Sequence, residues 1–255
     1  MGLWDVYESR ANAHGRTRRQ AELRKEQHRL FKQDKDTLSY HEAIVDGETR
    51  NVVIINSDNL NEKKMISLPG EDFDCGTLVE WMENHWLITE KDANNEVYTK
   101  VKLLQCDYLL KWVDDDDVIH EQWCVVEDGT KYLTGEYEDR NFVVTRGDSR
   151  IAITIGRNEH TAKFGRNHRF IIDDPDSKTK MAFLLTKPLK IGHTFNNKGV
   201  YSFVLQEVVT TDNDNLELGI ADYYKHFPKP DNVPDYGGNP GISGSTTSTG
   251  KKVWL

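Results

Sequence analysis

Short apolar segments separated by turns fill most of the chain, and this pattern restricts the possible fold more than any other feature of the sequence. The run 52–55 is uniformly apolar, as in a strand covered on both faces, whereas Tyr201, Phe203 and Leu205 occupy alternate positions of a later segment. Roughly a dozen such segments, separated by Gly, Asn and Asp turns, predict a mainly β protein with two small antiparallel barrel or sandwich modules.

The two predicted β modules cover residues 38–116 and 117–227. Four consecutive aspartates, Asp114 to Asp117, form an acidic connector that favours a boundary there. A boundary near Asp128-Gly129 and a core shared by both halves are the alternatives. Within the first module, the apolar segments 78–81 and 86–89 predict a hairpin with a four-residue loop at 82–85.

Residues 1–37 are predicted to form a basic helical arm. Residues 1–36 hold nine Lys and Arg against six Asp and Glu, a net charge of +3. The rest of the chain carries −12, which brings the net charge of the whole chain to −9. Thr17 is a suitable N-cap for the longer helix, and Gly15 precedes it. Few apolar residues follow, so this helix is either a solvated surface helix or an arm that docks on another chain. We expect its arginines to meet an acidic partner surface: Arg16, Arg18, Arg19, Arg24 and Arg29.

Residues 228–255 form a tail rich in Pro, Gly, Ser and Thr that cannot pack a core. An apolar tip, Val253, Trp254 and Leu255, ends it. The tail is either disordered or an extended strap over another chain, and in the second case these three residues are its expected anchor.

The sequence lacks particular residues that known catalytic motifs require. His120-Glu121 is followed by Cys124 where a zinc protease motif needs a second histidine, and the segment is predicted to be a strand rather than a helix. The chain has no glycine-rich phosphate loop, and its three cysteines form no C-x-x-C pair, so we expect no disulfide framework and folding in a reducing cytoplasm. We therefore expect no enzyme activity, no cofactor and no metal.

Some alternatives to that expectation remain open. One is a metal-dependent hydrolase that uses His120, Glu121 and Cys124, with His120 and Cys124 as a metal pair. Another is weak calcium binding at the acidic stretches 114–117 and 212–215, although both lack the central glycine of an EF-hand loop.

A cluster of basic residues surrounds Phe164 and Phe170 in the second module. Basic and aromatic residues together are typical of nucleic-acid contact, but a hairpin with a basic loop, or a face toward an acidic neighbour, explains them as well. The cluster consists of Arg157, Lys163, Arg166, His168 and Arg169. The net charge of −9 disfavours a general nucleic-acid binder. The sequence has no long apolar stretch and no basic leader followed by an apolar core. We therefore expect neither a membrane span nor a secretory signal.

Three stretches of the sequence resemble a known class of proteins. The hairpin Gly76-Thr77-Leu78-Val79-Glu80-Trp81 with His85-Trp86-Leu87-Ile88-Thr89 resembles the strand pair of small β-barrel neck proteins of tailed bacteriophages. The stretch Asp214-Asn215-Leu216-Glu217-Leu218-Gly219-Ile220-Ala221-Asp222-Tyr223 is similar to the end of the globular part of virion proteins from phages and prophages of Gram-positive, clostridia-like hosts. With the helical start Trp4-Asp5-Val6-Tyr7, the resemblance covers most of residues 1–227 and leaves out the tail after Phe227.

The resemblance implies a head–tail connector near the portal, acting as an adaptor, a stopper or a tail-joining ring. We expect a non-enzymatic virion protein that forms a closed homo-oligomeric ring, because repeated heterologous contacts close into rings. The expected partners are the portal or other connector proteins and tail proteins, with transient contact to packaged DNA and none to membranes. The rival function is a carbohydrate- or surface-binding module of a phage tail, in which exposed Trp and Tyr on β-sheets stack on sugar rings.

Overall fold

The computed structural model describes residues 2–11, 15, 17–34, 36–92, 96–128, 149–174, 176–177, 179–195 and 198–229. Within these ranges, no helix has both the length and the apolar character that crossing a membrane requires. The tail from residue 230 onward lies outside the described residues.

The N-terminal arm consists of helices α1 (Leu3–Ala11) and α2 (Arg18–Asp34). Thr17 caps α2 as predicted: its Oγ1 accepts a hydrogen bond from the backbone N–H of Gln20 at 3.2 Å, and its carbonyl accepts one from Ala21 at 3.0 Å. Helix α2 therefore begins at the position that the local sequence predicts.

Six antiparallel strands form a closed barrel in the order β1-β2-β3-β6-β5-β4. Strand β1 pairs with both β2 and β4, which closes the sheet on itself. The strands are β1 (Tyr40–Val45), β2 (Glu48–Asn56), β3 (Glu62–Ser67), β4 (Leu78–Trp81), β5 (Asn84–Lys91) and β6 (Lys100–Gln105). Val52, Val53 and Ile54 of β2 are buried, as the uniformly apolar run predicts, but Ile55 at its end is 42% exposed, so the run is covered only in part. Met65, Ile88 and Leu103 fill the interior.

The second sheet has six antiparallel strands in the order β10-β11-β12-β9-β8-β7. These are β7 (Tyr108–Val113), β8 (Ile119–Asp128), β9 (Arg150–Gly156), β10 (Arg169–Ile171), β11 (Ala182–Phe195) and β12 (Lys198–Val208). The Tyr108 hydroxyl donates to the carbonyl of Ile171 at 3.2 Å, so the two edge strands approach each other and the sheet curls like a barrel. Its core contains Tyr201, Phe203 and Leu205, the residues whose alternation predicted a half-buried strand.

Sheet membership changes between Gln105 and Tyr108, about ten residues before the boundary predicted at 116/117. The acidic connector is the turn between β7 and β8 of the same sheet, because Tyr108 pairs with Cys124 and Val113 with Ile119. Charge marks a solvent-exposed turn equally well inside a sheet and between sheets, so the aspartates indicated a turn without showing which strands it joins. The division into two independent domains stays a prediction.

The hairpin between β4 and β5 has a shorter loop than the four residues predicted. Trp81 pairs directly with Asn84, which leaves only Met82 and Glu83 in the turn. Both have positive φ, 49° and 61°, as in the tight turns that match strand twist. Asn84 and His85 thus belong to β5 rather than to the loop.

A small apolar cluster joins the barrel to the second sheet. Leu87 and Cys106 pack there against Val125 and Val200 of strands β8 and β12. The imidazole of His85 also stacks on Trp123, with ring centroids 4.2 Å apart. The two sheets therefore keep separate cores and meet across this cluster.

After β12 the chain turns back and ends in the short helix α3 (Tyr223–His226). A bridge between Asn215 and Ile220 shapes this segment, which contains the stretch 214–223 that carried part of the resemblance. The buried Asp214 carboxylate accepts hydrogen bonds from the backbone N–H groups of Thr211 and Asp222 at 2.7 and 2.8 Å. This segment is thus a folded continuation of the second sheet.

Candidate partner-binding surface

Helix α1 exposes large apolar side chains to solvent. Leu3, Trp4 and Tyr7 are 94%, 74% and 64% exposed, and the Trp4 and Tyr7 rings stack with centroids 5.6 Å apart. Three such residues on one short helix form a contiguous apolar surface, which is typical of a contact site for another molecule. We call Leu3, Trp4 and Tyr7 the apolar tip of the arm.

Helix α2 carries the predicted basic residues on exposed positions. Arg18, Lys25 and Arg29 share one face by helical spacing, and Glu22 and Glu26 lie between them. Arg18 pairs with Glu22 at 3.2 Å, and Arg29 pairs with Glu26. The interleaved carboxylates make this face mixed in charge, which suits a protein surface better than a phosphate backbone.

Arg24 is a basic residue of α2 that is available to a partner. It is exposed, and the described part of the chain offers it no ion-pair partner. Helical spacing places it away from the Arg18 face. Its guanidinium can form forked hydrogen bonds with a carboxylate.

The arm meets the barrel through polar contacts at Glu96. The Arg19 guanidinium lies 2.6 Å from the Glu96 carboxylate, and the Gln27 side chain donates to the Glu96 carbonyl at 3.5 Å. Both partners of the ion pair are more than half exposed, and such pairs contribute about 0–1 kcal/mol. A neighbouring acidic surface can therefore compete with the chain's own body for the arm.

The predicted interface residues divide into two groups in the structure. Arg18, Arg19, Arg24 and Arg29 lie together on α2. Arg16, Val253, Trp254 and Leu255 lie outside the described residues, so the C-terminal strap stays a prediction. The apolar tip of the arm is not among the predicted interface residues, although Leu3, Trp4 and Tyr7 share one helical face by their spacing of three and four residues.

The alternative of a His120 and Cys124 metal pair is wrong. Cys124 lies in the core of the second sheet, and burial raises the pKa of its thiol well above the ordinary value. Four residues along a strand separate the two positions by about 13 Å, too far to share one ion. Glu121 is exposed on β8, 3.8 Å from the ammonium of Lys111. A hydrolase site built from His120, Glu121 and Cys124 is therefore excluded.

The basic cluster around Phe164 and Phe170 also lacks the exposed aromatic rings that nucleic-acid contact requires. Both rings are buried in the core, 1% and 0% exposed, so neither can stack on a base. Arg169 forms ion pairs with Asp214 and Asp222 of its own chain at 2.8 and 3.1 Å. Asp214 is the buried residue of the stretch 212–215, the second candidate for calcium binding, and its carboxylate is already paired with Arg169.

The architecture defines a class of protein: a body of two barrel-like β-sheets that carries a helical arm with an exposed apolar tip. The family model of the YomX N-terminal domain matches residues 15–105. This is a phage-type family, and the match indicates a phage protein. No curated protein and no solved structure matches the chain.

The matched residues coincide with structural units of the chain. They contain α2 and all six strands of the closed barrel, and they end at Gln105, the last residue of β6. Helix α2 and the barrel therefore belong together in the family pattern, while the second sheet lies beyond the matched range.

Proposed function

We propose that this protein is a structural component of the phage neck, which joins the head to the tail as an adaptor, stopper or tail-joining ring without catalysing a reaction. The observation that carries this proposal is the arm: an exposed apolar tip and a basic helix attached to an acidic body. The phage-type family match supports it. So does the resemblance to neck proteins, which covers most of residues 1–227.

The proposed occupant of the arm's surface is the body of a second copy of the chain. Residues 1–36 carry +3 and the rest of the chain −12, so the arm of one copy and the body of the next attract each other. Leu3, Trp4 and Tyr7 gain most from such docking, because burying an aromatic ring removes roughly 150–250 Å² from water. An arm that reaches onto a neighbour makes a heterologous contact, and repetition of that contact closes a ring.

The rival sugar-binding function finds less support in the described strands. Trp86 and Trp112 are buried, and Trp81 and Trp123 are partly buried, so no described strand presents an exposed tryptophan platform. The exposed tryptophan in the described part of the chain, Trp4, lies on a helix. The described strands therefore offer a sugar ring no exposed tryptophan to stack on.

The proposal is tested by removing the arm's apolar tip. The triple variant Leu3→Ala, Trp4→Ala, Tyr7→Ala should leave the β body folded by circular dichroism but prevent ring formation, measured by analytical ultracentrifugation. Leu60→Ala is the matched control, because Leu60 is 88% exposed but lies in the barrel rather than the arm. If the triple variant assembles like the control, the arm is dispensable and the proposed contact is wrong.

The position of the protein in the particle separates the neck from the tail. Deletion of residues 1–33 should yield separate heads and tails in electron micrographs of phage that carries the deletion. Density for the chain at the portal vertex supports the connector. Density at the distal tip of the tail, or normal joining with the deleted arm, would refute it.

A further inference from the structure

Three potential metal ligands converge at one end of the second sheet. Asp114 directly follows β7, His120 is the second residue of β8, and His160 lies in the loop after β9. One ligand atom from each of the three residues lies within 4.8 Å of the other two. Three separate elements therefore contribute to one cluster, which we call the Asp-His-His cluster.

The distances in the Asp-His-His cluster match those around a small tetrahedral ion. The Asp114 Oδ2 atom lies 2.8 Å from His120 Nε2 and 3.7 Å from His160 Nδ1. Two ligand atoms that are each about 2.1 Å from a tetrahedral ion are separated by roughly 3.4 Å. The observed distances bracket that value, and binding an ion would also require the stacked His120 and His160 rings, inclined by 30°, to turn so that both nitrogens face it.

A ring nitrogen of His160 supplies an independent indication that the cluster binds a ligand. Its Nδ1 atom is buried and has no hydrogen-bond partner among the described residues, and Asp114 at 3.7 Å is too far to provide one. A buried nitrogen without a partner is costly and calls for an explanation such as a bound ion. The lone pair of a neutral imidazole at this position is available to a metal.

Backbone hydrogen bonds hold the Asp114 carboxylate in place. Its Oδ1 atom accepts hydrogen bonds from the backbone N–H groups of Val118 and Asp116, both at 3.0 Å. Its Oδ2 atom faces both histidines.

The surrounding contacts orient the two imidazoles. The His120 ring lies between Trp112 and His160, with centroid distances of 5.7 and 3.8 Å. The backbone N–H of His160 donates to Asn158 Oδ1 at 3.0 Å, and Asn158 in turn donates to Gln122 Oε1 at 2.7 Å. Such outer contacts hold ligands in place and are typical of metal sites.

We propose that Asp114, His120 and His160 bind a divalent transition-metal ion of the Zn²⁺ type. Two imidazole nitrogens and one carboxylate oxygen are a ligand set for zinc, with a fourth position left for water. Calcium is a poor match because it takes oxygen ligands. The ion would tie the β7–β8 turn to the loop after β9, a function separate from that of the arm.

Asp116 and Asp117 of the acidic connector do not face the proposed ion. Asp116 lies 3.6 Å from the Lys163 ammonium, and Asp117 lies 2.7 Å from His226 Nδ1. Both are exposed and face other groups, whereas the Asp114 side chain is 6% exposed and faces the histidines.

The proposal is tested by zinc titration of the full chain against a chromophoric chelator near neutral pH, after treatment with EDTA. We expect one ion per chain in the wild type. His160→Ala should weaken binding by more than the roughly 10–100-fold that loss of an outer contact costs, because it removes a ligand itself. His160 lies in a loop and is 41% exposed, so this variant is suited to retain the fold, which circular dichroism checks.

Two further measurements make the result decisive. His28→Ala, an exposed histidine on α2, should bind zinc like the wild type. Co²⁺ in place of zinc should give the visible absorption of a tetrahedral site in the wild type and lose it in His160→Ala. Absence of zinc uptake by the wild type, or equal affinity in the wild type and His160→Ala, would overturn the proposal.

Discussion

Arg169 connects the segment after the last strand to the second sheet. Its guanidinium contacts Asp214, Asp222, the Thr211 hydroxyl and the Val209 carbonyl, all within 3.2 Å. The Asp214 side chain is fully buried and that of Arg169 is 12% exposed. Because a buried carboxylate is costly without a counter-charge, this guanidinium stabilises the whole segment.

We predict that Arg169→Ala lowers the free energy of unfolding by about 3–5 kcal/mol, since it leaves the Asp214 carboxylate buried without a counter-charge. Arg18→Ala is the matched control, because Arg18 and Glu22 form an exposed ion pair that contributes only about 0.3–0.5 kcal/mol. Urea unfolding of both variants measures the difference. Similar losses in the two variants would show that the Arg169 pair has no special role.

Two hairpins of the barrel use the same kind of turn with very different residues. Asp46 and Gly47 connect β1 to β2, and Met82 and Glu83 connect β4 to β5, all four with positive φ. Asp-Gly is a favoured pair for this turn, whereas Met and Glu adopt the left-handed region at a cost of about 1 kcal/mol or more each. The β4–β5 hairpin therefore forms against its local preference, because the strands on either side pack into the barrel.

Replacing Met82-Glu83 by Asn-Gly should stabilise the protein by roughly 1 kcal/mol, since both new residues accept positive φ. The reverse change, Asp46→Met with Gly47→Glu, should destabilise it by a similar amount and serves as the control. Chemical denaturation measures both variants. A loss of stability on introducing Asn-Gly would contradict the idea that the turn is strained.

Three glycines lie at a close contact between the barrel and the second sheet. A Cβ on Gly76 would lie 1.9 Å from the Gly199 carbonyl oxygen, and a Cβ on Gly156 would lie 2.3 Å from the Gly76 carbonyl oxygen. Both obstacles are backbone atoms, which cannot move aside like a flexible side chain. Lys198 adds an ion pair across the contact, 3.4 Å from Asp74. The relative placement of the sheets thus depends on the absence of side chains at these positions.

We predict that Gly156→Ala destabilises the whole molecule by at least about 1–3 kcal/mol, the usual cost of overpacking, because the new methyl group forces the sheets apart. Gly165→Ala is the matched control, since a Cβ there meets nothing within 4 Å. Thermal unfolding followed by tryptophan fluorescence measures both. Equal melting temperatures would show that the contact between the sheets tolerates a side chain.

Local patterns in the sequence determined the helical arm and most strands. Thr17 caps α2, and the alternation of Tyr201, Phe203 and Leu205 marks the buried face of β12, because hydrogen-bonding caps and side-chain alternation act over a few residues. The same short-range periodicity predicts the exposed positions of four arginines on α2: Arg18, Arg19, Arg24 and Arg29. These features require no knowledge of which strands pair.

Only the tertiary structure decided which strands share a sheet and which side chains meet. The turn 114–117 lies within one sheet because β7 pairs with β8, and Met82 and Glu83 adopt positive φ because their strands are already held in the barrel. His160 reaches Asp114 although 46 positions separate them in the sequence. Such contacts arise from the packing of whole sheets, so no local spacing encodes the Asp-His-His cluster.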